Sequence, residues 1–327
     1  MNEMTMSTEC SISTDKLVVI SGASTSIGAA TARELARRGF HVLAGVRRES
    51  DADALRSQHV EPHILDITNG ADVAGIAERV AGDARGRPLH ALVNNAAIAV
   101  NAPVETLPMD EWRSQFEVNL FSQIAMTQAL LPALLQSTGR VVNISSVGGK
   151  VAMATYGAYA GAKFALEAVS DSLRREVSDF GVEVIVVEPG AVITEMSRRG
   201  VANANRLAAG MTADQRRRYD GLVHAVTTQA ESFTQGGVPA AKAATIIADA
   251  ITATKPRTRY TVGRDAAVLV RLARVAPDRF LDRMLRRNLK PHYQRADQLA
   301  AQSLRALACR PVGVRLPTLA WESSNPR

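Results

Sequence analysis

Lys16-Leu-Val-Val-Ile-Ser21 followed by Gly22-Ala-Ser-Thr-Ser-Ile-Gly28 decides how this chain folds. The apolar run has no alternation, which is the pattern of a strand covered on both faces. Two glycines then flank a short polar turn, and residues 29–38 have helical composition and stop at Gly39. Strand, glycine turn and helix in that order let the backbone approach a pyrophosphate. The helix start then offers free N–H groups and its positive dipole end.

Outward from this unit the alternation continues. Strands are expected at His41–Val46, 60–65, Leu89–Asn94, 140–145 and 182–188, the last by its β-branched composition. Helices are expected at 71–84, 109–136 with Pro132 near its end, and 156–180. Strands interleaved with helices predict an α/β fold, a doubly wound, Rossmann-type parallel sheet with helices on both faces. Residues 194–238 read as less regular, broken by Gly200, Gly210, Gly221 and Gly236-Gly237. A helix over 240–254 and a seventh strand at Arg259–Val262 follow. The predicted domains are a disordered arm over 1–15, a dinucleotide-binding and catalytic domain over 16–263 with a substrate lid at about 195–238, and a basic amphipathic extension over 264–327.

Bulk composition narrows the class. The 327 residues are 46% hydrophobic and 22% charged, an ordinary globular balance. Cys10 and Cys309 make no disulfide framework, so a reducing, cytoplasmic setting is expected. The first fifteen residues lack a secretory pattern, and no apolar stretch reads as a bilayer span of roughly 18 residues. Six scattered histidines show no metal-ligand spacing, so no metal is expected. The net charge of +7 sits in the tail: residues 255–327 carry 16 Lys and Arg against 5 Asp and Glu, the remainder 23 against 27. With no recognisable nucleic-acid module, that tail predicts no nucleic-acid partner.

The chemistry is read from Tyr159 and Lys163. At i and i+4 on a helix their side chains converge, and Ser146 lies thirteen residues before the tyrosine at the end of a strand. Ser145 faces the other way by strand alternation. Tyr156 has Ala160 at i+4, so it has no lysine to tune it and is expected to pack or to line the substrate pocket. Asp66 follows the third strand and can accept from an adenine amino group, while Asn94-Asn95-Ala96-Ala97 brings amides and small residues to the crevice. The second strand ends Val46-Arg47-Arg48 with no carboxylate until Glu49. An arginine there pairs with a 2′-phosphate, favouring NADP(H) over NAD(H).

Taken together, S-G-A-S-T-S-I-G at 21–28, Asp66, N-N-A-A at 94–97, Asn119 in V-N-L-F, Ser146, Y-A-G-A-K at 159–163 and P-G-A-V-I-T at 189–194 resemble the short-chain dehydrogenase/reductase family. The resemblance runs from about Lys16 to Gly263. It implies reversible hydride transfer between a nicotinamide and an alcohol or ketone carbon. Tyr159 is then the general acid/base, Lys163 its tuner, Ser146 the holder of the substrate oxygen, and Asn119 the anchor of a proton-relaying water. A phenol has a pKa of about 10, and lowering it by about three units takes roughly 4 kcal/mol of differential stabilisation. The implied cofactor residues are Gly22, Ser24, Ser26, Ile27, Gly28, Arg47, Asp66, Ile67, Asn94, Ala96, Tyr159, Lys163, Pro189, Gly190, Val192 and Thr194, the last two toward the carboxamide. Substrate contacts are Ser146, Tyr156 and Met196. The chain departs from the pattern at Ser26 and Ala97, where the family has glycine.

The lid mixes Met196, Leu207, Met211, Tyr219, Leu222, Val223 and Phe233 with six arginines, predicting a lipophilic substrate with room for an anionic group. In the tail, residues 266–289 read as two short amphipathic helices divided by Pro277, with irregular chain beyond about residue 307. They are expected to cap the active-site mouth, dock on a second subunit, or lie on a membrane surface, in that order. A homodimer or homotetramer is expected through the two long helices. The alternative to an enzyme is a catalytically idle dinucleotide sensor or scaffold that acts through this tail.

Overall fold

Every residue of β1 (Leu17–Ile20) is buried, and its side chains alternate between two helical layers. In the computed structural model, which describes residues 15–308, seven parallel strands lie in the order β3-β2-β1-β4-β5-β6-β7. Expectations for the N-terminal arm, Cys10, Cys309 and the chain beyond Ala308 fall outside the described residues. β2 (His41–Val46) and β3 (Val60–Ile64) extend one side of β1. β4 (Leu89–Asn94), β5 (Arg140–Ile144), β6 (Glu183–Pro189) and β7 (Arg259–Val262) extend the other.

Val18, Ile20, Val42, Ala44, Val142 and Ile185 pack against α1 (Ser26–Arg37) and α9 (Ala240–Thr252), which bring Ala32, Leu35, Ile247 and Ile251. Leu17, Val19, Leu43, Val141 and Val184 meet α3 (Gly70–Ala81) and α5 (Ser122–Ser137) through Ile76, Val80, Met126, Leu130 and Leu134. Burying one such aliphatic side chain contributes about 1.5–3 kcal/mol, so period-2 alternation on buried strands holds both layers. A short α2 (Glu49–Asp53), not anticipated, turns the chain after β2.

The expected helix over 109–136 is α4 (Met109–Phe116) and α5, joined by one π turn at Glu117–Phe121. By length and hydropathy alone, Met109–Ser137 is long and apolar enough to cross a bilayer. The sequence reading had excluded such a stretch, but here its buried face packs under the sheet. α6 (Gly157–Glu176) ends before a 3₁₀ turn at Ser178–Phe180.

The lid is where the sequence reading fails. Residues 194–238 are two helices, α7 (Glu195–Ala209) and α8 (Ala213–Gly236), not irregular chain. The glycines are accommodated without breaking them. Gly200 is buried over the 99–101 loop, Gly210 closes α7, and a Cβ on Gly221 would sit 3.3 Å from the Tyr293 ring. α10 (Arg264–Ala273) and α11 (Asp278–Ala308) follow. The second is far longer than expected and packs along α8.

Candidate active site

Two turns meet at the carboxyl ends of β1 and β4, where the strand order reverses. Gly22 adopts φ 64°, and a Cβ there would lie 2.7 Å from the Ala96 Cα. A Cβ on Gly28 would lie 2.3 Å from the Gly22 carbonyl oxygen. Both positions therefore require glycine. Asn95, which the sequence reading did not single out, clasps the turns together. Its Nδ2 donates to the Ser21 and Gly22 carbonyls at 3.0 and 2.9 Å. Its own N–H and that of Ala96 donate to Ser21 Oγ. Thr25 at the start of α1 makes no side-chain cap, so the first-turn N–H groups are left facing the turn. This cradle fits a pyrophosphate.

Other assigned cofactor residues divide. Arg47 ends β2 exposed and has no ion pair among the described residues, whereas Arg48 is held by Asp51 at 3.0 Å. The Asp66 carboxyl is held below its usual range by hydrogen bonds from the Thr68 hydroxyl and N–H, with the Arg47 charge also acting on it. Ile67 is buried beside it. Asn94 needs correction. Its side chain points away from the crevice into the core, donating to Thr127 Oγ1 and Asn143 Oδ1 at 2.9 Å. Period-2 alternation puts it on the face of Leu92, toward α5.

Ser26 has φ 51°, in the left-handed region, as the glycine it replaces would allow. A Cβ there costs about 1–2 kcal/mol. Its Oγ accepts the Glu195 N–H at 3.0 Å. On the far side, the Gly190 N–H donates to the Val262 carbonyl, and Val192 is buried and bridges to Val238. Thr194 caps α7, its Oγ1 accepting from the Ser197 N–H at 3.1 Å.

Asn119 is fully buried in the π turn, with its amide spent on one residue. Oδ1 accepts from the Ile98 N–H and Nδ2 donates to the Ile98 carbonyl, each at 2.9 Å. Gln115 clamps Val100 in the same way at 3.1 and 3.0 Å, and Gln123 Nε2 donates to Ala96 at 2.8 Å. The expected water anchor is thus not the Asn119 amide. A π turn interrupts the i+4 ladder and frees main-chain carbonyl capacity, which is the available acceptor there.

At the end of β5, Ser145 is buried with its Oγ unpartnered among the described residues, while Ser146 turns outward. Ser146 Oγ accepts from the Gly148 N–H at 3.0 Å and lies beside the Tyr159 hydroxyl. Lys163 is 1% exposed, and its Nζ donates to the Ile144 carbonyl at 2.7 Å. Burial pulls its ammonium down to about 7, against the Glu167 carboxylate one turn on. Burial also pushes the Tyr159 phenol up, the Ser146 hydroxyl acting in the opposite sense. Tyr156 stands edge-on to Tyr159, ring centroids 6.4 Å apart. Met196 is half-buried in the first turn of α7.

The lid arginines pair within the chain at its surface. Arg198 and Arg199 pair with Glu195, Arg206 with Glu111, Arg217 with Asp214, and Arg218 with Glu105, while Arg216 donates to the Ala209 carbonyl.

A sequence model of the short chain dehydrogenase family matches residues 16–205. Retinol dehydrogenase 7 of Mus musculus is 35% identical over 281 residues, covering 83% of this chain and 88% of that protein. The NADPH-dependent 3-dehydrocapnine reductase of Ornithobacterium rhinotracheale is 30% identical over 283 residues, covering 84% and 98%. Among solved structures, a short-chain dehydrogenase from Streptomyces avermitilis superposes with a TM-score of 0.66 at 28% identity, covering 87% of this chain and 97% of that one.

Proposed function

The chain belongs to the short-chain dehydrogenase/reductase family and is an NAD(P)-dependent oxidoreductase, and from that premise we propose that it uses NADP(H) to interconvert a lipophilic ketone and its secondary alcohol. One observation carries the chemistry: Ser146, Tyr159 and Lys163 gather at the end of β5, one strand from the glycine cradle. A bound nicotinamide supplies or accepts the hydride. Tyr159 gives its proton to the substrate oxygen in reduction and takes it back in oxidation, and Ser146 holds that oxygen by a hydrogen bond. Burial disfavours charge on both Tyr159 and Lys163, so the lysine tunes the phenol only when acceptor oxygens brought beside Nζ hold its ammonium charge.

Arg47, with no ion pair among the described residues, supports the preference for a 2′-phosphate, and one relative is named for NADPH dependence. Met196, Leu207, Met211 and Val223 on the lid, with no uncommitted arginine among those assigned to it, support an apolar substrate. Retinol, in the name of another relative, is an apolar alcohol. The idle sensor is not favoured, because the relatives are named as dehydrogenases and reductases. α11 along α8 supports the tail as a cover on the lid. Its exposed Arg279, Arg283 and Arg286 leave contact with an anionic membrane surface as a secondary role.

We further infer a homodimer through the face where Trp112 and Val104 lie over Gly157 and Phe116 over Gly161. A groove of ≈ 460 Å³ there is lined by Met109, Trp112, Phe116 and Phe121, with Arg113 and Glu117.

Tyr159→Phe tests the reaction directly. Turnover of hydrophobic ketones should fall by about 10²–10⁴-fold, while the NADPH dissociation constant stays near wild type. Undiminished turnover would remove Tyr159 from the chemistry.

A further inference from the structure

Ser26 sits at the first position of α1 in a left-handed conformation, with its hydroxyl turned to the lid. Glu195, whose N–H it accepts at 3.0 Å, is the first residue of α7 and lies 169 residues further along the chain. A helix start leaves its first N–H groups without intrahelical partners. In α7, Thr194 serves the Ser197 N–H, and the Glu195 N–H is served from the nucleotide turn. A hydroxyl accepts twice and donates once, and the Ser26 hydrogen has no acceptor among the described residues.

We propose that Ser26 is a positioning residue that latches the lid helix to the nucleotide turn. It accepts from Glu195 while donating its own hydrogen to an anionic oxygen carried on that turn, so cofactor binding and lid closure over substrate are coupled. A glycine at this position offers no oxygen, so the coupling is a property of this chain and not of the glycine motif. The inference rests on the dinucleotide reading above for its second half, the donation. The first half, the contact between turn and lid, stands without it.

The test is amide hydrogen exchange on the full chain, with Ser26→Ala and Ser26→Gly beside wild type, each without nucleotide and with NADPH. Losing one net hydrogen bond should speed exchange of the amides at 195–197 about 3- to 10-fold in both variants. The extra slowing that NADPH brings to those amides in wild type should shrink, and KM for a hydrophobic ketone should rise more than kcat falls. Ser26→Gly relieves the backbone strain, which offsets the lost bond and so separates the latch from any loss of stability. Equal exchange in all three proteins, with and without NADPH, overturns the proposal. If wild type binds no dinucleotide, the proposed function falls, and the nucleotide-free comparison still decides whether the latch exists.

Discussion

An ammonium at Lys163 Nζ has one hydrogen-bond partner among the described residues, the Ile144 carbonyl, and burial takes its pKa to about 7 from an ordinary 10.5. Between those values the unfolded chain binds more protons at this site than the folded one, so stability rises with pH across that window. Glu167 faces the same group from α6 and moderates the effect without changing its sign. From pH 7 to 9 wild type should gain about 2 kcal/mol relative to Lys163→Met in urea unfolding. Parallel pH profiles would mean that the lysine is not buried as described. At the other end of the cofactor site, Arg47→Ala should weaken NADPH binding by about 10- to 100-fold and NADH binding little, because charge-assisted bonds to a 2′-phosphate are lost. Equal losses would mean that Arg47 does not read the phosphate. The Ser–Tyr–Lys group was legible because helix spacing alone brings two of its members together. Asn94 and Asn95 were not separated, although alternation along β4 carried the distinction: the side chain on the Leu92 face enters the core, and the next residue, past the strand end, clasps the cradle.

Gln115, Asn119 and Gln123 form a ladder whose steps explain why the loop after β4 is so well held. Four helical residues advance about 6 Å, close to the roughly 6.6–6.8 Å spanned by two residues of extended chain. Amides spaced by four can therefore serve carbonyls and N–H groups spaced by two, at Val100, Ile98 and Ala96. Replacing one amide by leucine strands a buried N–H and a buried carbonyl together. Gln115→Leu should destabilise by about 2–5 kcal/mol in urea unfolding, whereas the exposed Ser114→Ala should change stability by less than about 0.5. Similar effects from both would show the ladder to be incidental. The 115/119/123 spacing was present in the sequence, but only the path of the loop shows what it grips. The lid was lost for a different reason, since its glycines were read as breaks. Thr212 and Gln215 nevertheless carry a capping box, with the Gln215 N–H donating to Thr212 Oγ1 and the Thr212 N–H to Gln215 Oε1. That signal marks the start of α8 and outweighs a glycine inside it.

Strand composition and period determine the whole molecule more firmly than any helix does. β2, β4 and β7 run over the residues expected: β2 and β4 are buried almost throughout, and β7 at the sheet edge alternates Arg259 and Thr261 with buried Tyr260 and Val262. The surfaces that finish the molecule depend instead on what stands opposite them, and one face has nothing opposite it among the described residues. Val104, Met109, Phe121 and Phe164 are 69%, 60%, 54% and 43% exposed. Phe164 follows Gly157 and Gly161 along α6, and both glycines lie under aromatic rings of α4. Apolar groups grouped in this way favour association, since covering them removes unfavourable contact with water. In the proposed dimer a second copy presenting the same face would satisfy them by a two-fold axis, each protomer covering the other's groove. In the dimer a carboxylate at position 121 would be buried against its symmetry mate, where like charges and lost hydration act together. Phe121→Glu should therefore convert the protein to monomers in sedimentation or light scattering, with the unfolding free energy of the isolated chain changed little because Phe121 is already exposed. A variant that keeps the mass of wild type, or a wild type that is itself monomeric at micromolar concentration, would exclude this face as the interface.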